Sequence, residues 1–534
     1  MNHIYKTIWN KAKNAFDVVA ENVGAKGKQT SGSKGKSAGS SEETSHFLAV
    51  LTPVAAMLFV QAAFANVTVD GSNTQVHNAN NGVQVIDIAT ANAAGISHNR
   101  YLNYNVDKAG QVLNNAAQTP GQLTAMTELA GKIMTNANLN ASARVILNEV
   151  TGASRSALNG HIEVAGARAD VIIANPYGIT CAGCGFINID QATLTTGTPK
   201  FNADGSIANF NITQGNIAVS GAGLAADGAS LLRLLSRSLN VDGQINAQNL
   251  QAVAGAHQYD YATGKTATLA GTGAAAQYAI DSTQLGGIDA NRISLIATEQ
   301  GVGVRMAGDA AASAADFTLN AAGEIELKNK ISAKQKISIQ NHSAQQQSLN
   351  IDGALTAADI ALGQASQSNL NVKLNHGTLY AENTIDVQSH SLTAQDAKIQ
   401  AKSDLNLSSA ASASLQDSHI DAGNLTLKSG QLTANGTQLS AAQEITLQSE
   451  QDLILTDTQA AANNIKVQAA SGSLTLDAVK LKAAQQLSLK ADKMAVNAET
   501  SALNTQIQAQ GKLTLGQNAV LISQNKTSIA AADA

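Results

Sequence analysis

From about residue 320 onward, apolar and polar positions alternate in short triplets at a regular spacing. Ile385-Asp-Val387, Leu405-Asn-Leu407, Leu425-Thr-Leu427, Ile445-Thr-Leu447 and Ile465-Lys-Val467 begin twenty residues apart, and Leu487-Ser-Leu489 and Leu513-Thr-Leu515 continue the series at slightly longer intervals. Each triplet turns two apolar side chains to one side and a polar one to the other, the period-two pattern of a strand with one buried face. A second apolar position recurs between triplets at Ile399, Ile420 and Leu439. A unit of about twenty residues therefore holds two or three short strands separated by Ser, Asn, Asp or Gly turns. One such unit cannot bury its own Leu or Ile, whereas stacked units share a continuous narrow core, so the period predicts a solenoid. The predicted fold is all-β, a right-handed parallel β-helix. With rungs about 4.8 Å apart, coils of roughly twenty residues after residue 65 would make a rod on the order of 110 Å long. Val67-Thr-Val69 and Val83-Gln-Val-Ile-Asp-Ile88 are expected to cap the unpaired amino-terminal edge, while Ile529-Ala-Ala-Ala-Asp-Ala534 reads as more repeat without a cap.

Composition supports the same picture. Across 534 residues there are 4 Pro, 1 Trp, 3% aromatics and 14% charged groups, too few large side chains for a compact multilayer core. The 44% hydrophobic content is nonetheless above that of a disordered chain. Residues 1–65 carry seven lysines and four acids, so the chain's net charge of −5 becomes about −8 once they are removed. No basic stripe remains to neutralise phosphates, and nucleic acid is not an expected partner.

The amino terminus reads as a leader. A Gly/Ser/Lys stretch at 24–41 precedes an apolar run at 47–64, and Ala63-Phe64-Ala65 has the small residues at −3 and −1 that signal peptidase reads, which places cleavage between Ala65 and Asn66. A membrane anchor is disfavoured because the run is short, contains Pro53 and Gln61 and lacks a charged flank. The forty residues ahead of the run exceed what a standard signal peptide needs. Tyr5, Ile8, Trp9, Asn10, Asn14, Ala15 and Val18-Val-Ala-Glu21 resemble the extended signal peptide region of large autotransporters and two-partner exoproteins. That resemblance implies a Gram-negative origin and a role in slowing export.

The densest motif is Val171-Ile-Ile-Ala-Asn-Pro-Tyr-Gly-Ile-Thr-Cys-Ala-Gly-Cys184, an apolar strand stopped by a turn and followed by the only two cysteines. Pro presets φ at the second turn position and Gly tolerates positive φ. Asn175-Pro176-Tyr177-Gly178 resembles the asparagine-proline-asparagine-glycine signature of two-partner secretion exoproteins, the family of filamentous haemagglutinin, related haemolysins and contact-dependent inhibition proteins, with Tyr177 in place of the second asparagine. Arg144-Val-Ile-Leu-Asn148-Glu149-Val150-Thr151, Gly160-His-Ile-Glu-Val-Ala-Gly-Ala-Arg168, Ser236-Arg-Ser-Leu-Asn-Val241 and Val253-Ala-Gly-Ala-His257 extend the resemblance across roughly residues 66–300. It implies a cleaved leader at 1–65, a secretion domain at 66–310, haemagglutinin-type repeats at 311–534, and export to the cell surface through a partner outer-membrane β-barrel transporter of the TpsB type. It also implies that the segments around Asn148 and 175–178 are needed for secretion. Asn is at the same time an ordinary turn and stack residue, because it bonds its own backbone. Members of the family are usually longer and keep their distinctive activity near the carboxyl terminus, so the chain reads as a truncated or minimal form. The expected role is a filamentous adhesin with an unidentified host-cell or bacterial receptor; a toxin stalk or a cytolysin fragment are the alternatives.

Other chemistry is sparse. Cys181-Ala-Gly-Cys184 admits a disulfide, a redox centre or half a metal site. The leader sends the pair to an oxidising compartment, where a structural bridge is favoured. Zinc would require a second ligand pair and a thioredoxin-like centre a βαβ unit. Gly264-Lys-Thr266 lacks the earlier glycine of a phosphate loop. Gly221-Ala-Gly-Leu-Ala-Ala226 is expected to be a surface loop, and Leu231-Leu-Arg-Leu-Leu235 a strand or loop on the rod. β-Helical polysaccharide enzymes need clustered carboxylates, but the acids here are scattered and the ten His show no ligand spacing. No catalytic residue, cofactor or metal is expected.

Overall fold

The alternating triplets become strands because each buries its two aliphatic side chains against those of the rungs above and below. A computed structural model describes residues 5–10 and 15–20, and residues 66–533 except 119, 120, 122 and 365–368. The first two segments, Tyr5–Asn10 and Ala15–Ala20, pair antiparallel within an amino-terminal unit of residues 1–62. The apolar run at 47–64 and Ala65 lie outside the described residues.

Residues 63–534 form the second unit, a parallel β-solenoid of about 18 turns with no helix among the described residues. One column of inward positions follows its whole length: Ser97, Ile146, Val171, Ala192, Leu232, Leu250, Ile293, Phe317, Ile337 and Ile360 stack in register up to Ile385. It continues through Leu405, Leu425, Ile445, Ile465 and Leu487. A second face stacks Leu379, Ile399, Ile420 and Leu439. A third stacks Leu392, Ala413, Leu432, Leu453 and Leu474. All but the buried Ser97 belong to one hydrophobic core that runs the length of the stack.

The last expected triplet is corrected by the register. Leu513–Leu515 stacks on Met494–Val496 and so belongs to the third face. The column through Leu487 continues instead to Thr505 and Thr527. Thr505 hid this rung, since a hydroxyl occupies the position that is aliphatic in the preceding coils. Gly221–Ala226 is also corrected. Gly221 and Gly223 turn a corner at positive φ, but Leu224–Ala226 is a strand whose Leu224 and Ala226 are buried in the core.

About 18 turns at ~4.8 Å give a rod of roughly 85 Å, shorter than expected. Three coils, between Ser97 and Ile146, Ala192 and Leu232, and Leu250 and Ile293, use about twice the residues of a regular coil because the chain leaves the stack and returns. The first excursion carries a hairpin, Thr124–Thr127 with Gly131–Met134. The other two supply Thr198–Phe201, Ile207–Ile212, His257–Asp260 and Thr266–Thr268, which join as a separate four-stranded antiparallel sheet. The amino-terminal cap consists of Val67–Val69, antiparallel to Ile96–Tyr104, and the hairpin Gln75–Asn78 with Gln84–Asp87. Ile86 and Ile88 close the core beneath it.

Candidate functional site

Two adjacent rungs carry the segments around Asn148 and Asn175 that are expected to be needed for secretion. Val145–Val150 lies between Ile96–Tyr104 and Ala169–Ala174, with Asn148 paired to Asn99 on one side and Ile173 on the other. The turn at Asn175 therefore begins two positions beyond Asn148 on the next rung.

Asn148 is fully buried. Its Oδ1 accepts from the Tyr101 hydroxyl at 3.1 Å, and its Nδ2 has no protein partner. Tyr101 packs against Tyr104 at 5.0 Å, and burial raises the pKa of both phenols, so neither ionises under ordinary conditions. Glu149 points outward and bonds His98 Nε2 at 2.7 Å, while Val150 returns to the core.

Asn175 is fully buried as well, and its side chain is wholly engaged. Nδ2 donates to the Ser154 carbonyl and to Ser156 Oγ, each at 2.9 Å, and Oδ1 accepts the Tyr177 N–H at 2.9 Å. Gly178 N–H closes the turn on the Asn175 carbonyl at 3.0 Å. This is the side-chain-capped turn that Asn favours. Pro176 occupies its second position, and Tyr177 is exposed at the tip. Gly178 sits at φ +108°, where an added Cβ would lie 2.4 Å from Arg155 Nη1 and 2.8 Å from the Asn216 carbonyl. Arg155 fastens the turn to the next coils through Thr180 Oγ1 and Asn216 Oδ1, both at 2.7 Å.

Cys181 and Cys184 are bonded Sγ to Sγ inside the core, across a corner that contains Gly183 at φ +100°. Cys181 stacks between Leu158 and Val219, and Cys184 on Leu224, so the bridge fills space that an aliphatic pair fills elsewhere. Asn66, the first described residue of the second unit, donates its Nδ2 to Asp107 at 2.9 Å.

A second burial plane, not predicted by the alternation, lies on the outer side of the rungs that hold Asn148 and Asn175. Val145–Val150 and Ala169–Ala174 do not alternate, because their outward residues are covered too. Ile96, Leu147, Ile172, Ala174, Leu235 and Val253 pack beneath Ile207, Phe210, Ile212 and Tyr259 of the four-stranded sheet. The unbroken apolar run Val171-Ile-Ile-Ala174 was the signal for this, since two-sided burial replaces alternation with a continuous run. The return limb of the sheet is clamped by Arg237, which bonds the carbonyls of Thr272 and Gly273 and pairs with Glu299 at 3.0 Å. A cleft of about 650 Å³ between sheet and rungs is lined by Arg144, Arg168, Asp170, Asp190 and Tyr261. Burial, then the neighbouring Asp190, pushes the Asp170 carboxyl up. Among the described residues, no three His, Cys, Asp or Glu converge as metal ligands, and no helix is long and apolar enough to cross a membrane.

A capped parallel β-solenoid with a leader ahead of it and an asparagine-anchored turn in its third rung defines an exported β-helical protein. Residues 65–327 match the family described as TPS secretion domain, and residues 1–50 the family described as Extended Signal Peptide of Type V secretion system. The chain belongs to the two-partner secretion exoproteins, which cross the Gram-negative envelope to the cell surface. It is 41% identical to the 16S rRNA endonuclease CdiA of Enterobacter cloacae over 69% of this chain and 11% of that protein. It is 48% identical to a tRNA nuclease CdiA of Escherichia coli over 47% of this chain and 8% of that protein. The chain thus spans about a tenth of the length of the curated relatives it matches. A crystal structure of a filamentous haemagglutinin secretion domain aligns with 58% of this chain and all of that one, at 31% identity and a TM-score of 0.49.

Proposed function

We propose that an outer-membrane β-barrel transporter of the TpsB type carries this chain across the outer membrane and that it stands at the surface as a filamentous adhesin. The observation that carries this reading is the secretion-domain match over the rungs that hold Asn148 and Asn175. Residues 66–310 act as the secretion domain. The outward column next to the motif supports a boundary near 310, because it is apolar at Leu235, Val253 and Ile296 and becomes polar at Asn320 and Gln340. Residues 311–534 then serve as a rod that extends the surface away from the membrane without catalysis. Cys181 and Cys184 hold a corner, and cleavage after Ala65 frees Asn66 to join the cap.

A second reading, the stalk of a contact-dependent inhibition toxin, is favoured by relatives that bear the names of CdiA nucleases and toxins. Expression of the full chain with and without its cognate transporter tests export: the chain should reach the medium or cell surface only with the transporter, and equal amounts in both cases would refute it. Binding of the exported chain to host cells supports the adhesin, while a requirement for a neighbouring immunity gene supports the stalk.

A further inference from the structure

The four-stranded sheet, like the hairpin at 124–134, is held differently from the rungs of the solenoid. It is hydrogen-bonded within itself and is not part of the solenoid's ladder. It rests on the rungs through apolar side chains, chiefly Phe210 and Tyr259, which pair across its centre, and through tethers at its margins. One tether is the Arg237–Glu299 clamp on Thr272 and Gly273; another is Asn92 Nδ2 on the Gly205 carbonyl at 2.9 Å. Such a sheet can lift as a unit without breaking a ladder hydrogen bond. Its strands also come late in the chain. A leader at the amino terminus brings residues 145–174 into the periplasm before residues 198–212, and well before residues 257–268. For that interval the outward side chains of the motif rungs have no cover.

We propose that this outward face, formed by Ile96, Leu147, Ile172 and Ala174, is the surface that the transporter's periplasmic modules grasp, and that the sheet at 198–268 is a lid that replaces the transporter once the chain is outside. The proposal rests on the export reading above and deepens it by naming the contact. The motif side chains favour this occupant. Asn175 is fully engaged in holding its own turn, and Asn148 lies on the core side of its strand. What these two residues set in place on the outside is the apolar pair Leu147 and Ile172, adjacent in register, together with Ala174 immediately before the turn. A partner that offers an apolar strand or groove matches that face, and the same face is sealed by apolar groups in the finished fold. Recognition that ends when the lid closes would release the chain only after it has folded.

The test uses the full chain with its cognate transporter in cells. A photo-reactive phenylalanine analogue is placed singly at Leu147, at Ile172 and, as a control, at the outward-facing Thr426. The cells are illuminated during export. Cross-links from 147 and 172 to the transporter, several times stronger than from 426, are expected, and Arg237→Ala should strengthen them further by delaying closure. Cross-links from 147 and 172 only to residues 198–268 of the same chain, or to a second copy, would overturn the proposal provided that the unlabelled chain still needs the transporter for export. Should a probe at 172 itself prevent folding, the probe at Val253 reads the same face from a different coil. Loss of transporter dependence for the unlabelled chain would instead refute the export reading.

Discussion

At the scale of single residues, the motif is a piece of architecture. Asn175 satisfies two acceptors and caps its own turn, so Asn175→Ala leaves the Tyr177 N–H and Ser154 carbonyl without that partner and should cost about 2 kcal/mol in chemical denaturation. Gly178→Ala combines an unfavourable φ with a contact on the Asn216 carbonyl and should cost about 1–3 kcal/mol in the same assay. Tyr177 is exposed at the turn tip, and Tyr177→Asn should leave stability within about 0.5 kcal/mol of the parent. The exposure of Tyr177 at the tip is consistent with a position that tolerates either residue. His257 reports on the lid: burial lowers its pKa to about 4, against an ordinary value of 6.5. Because the folded state resists the proton, its contribution is complete above pH 6.5 and is lost as pH falls towards about 4. Glu299 lies close by, accepting the Ala256 N–H and pairing with Arg237. His257→Gln should flatten the stability profile between pH 6.5 and 4, measured by thermal melts across that window.

At the scale of elements, the repeating half of the chain could be read from the sequence almost residue for residue, because one buried face imposes strict alternation. The five triplets from Ile385 to Ile465 stack in the predicted column. Where the reading failed, a different constraint ruled. At Thr505 a polar residue sits in an apolar column, and counting aliphatics alone jumped to Leu513 on another face. The Thr505 hydroxyl is buried without a partner, so Thr505→Val should raise stability by about 1 kcal/mol, visible as a higher denaturation midpoint. In the motif rungs, two-sided burial erased the alternation, and the lid that causes it comes from residues tens of positions away. No local pattern specifies that the strands at 207–212 and 257–260 will pair. The candidate site was therefore legible as a turn with an asparagine anchor, but the roles of Arg155, which fastens the turn, and of Arg237 and Glu299, which clamp the sheet, were not. The corner at Cys181 and Cys184 closes so short a loop that its closure contributes only about 2 kcal/mol, and replacing both by Ala should cost that amount plus the lost packing of two buried sulfurs, with export retained.

At the scale of the whole molecule, stability is a sum of neighbouring rungs, so damage stays local until a rung opens an edge. The cap covers one end of the stack and the lid covers one side of its first coils, which leaves the coils after Phe317 with polar outward columns suited to an exposed rod. On the proposed reading, export depends on the shape of the motif rungs more than on the identity of any exposed side chain. The most direct measurement is the amount of full chain reaching the medium or cell surface when co-expressed with its transporter, compared for the parent, Tyr177→Asn and Asn175→Ala. The parent and Tyr177→Asn should be exported equally and Asn175→Ala severalfold less. Export of Asn175→Ala at the parent level, or loss of export with Tyr177→Asn, would contradict the account.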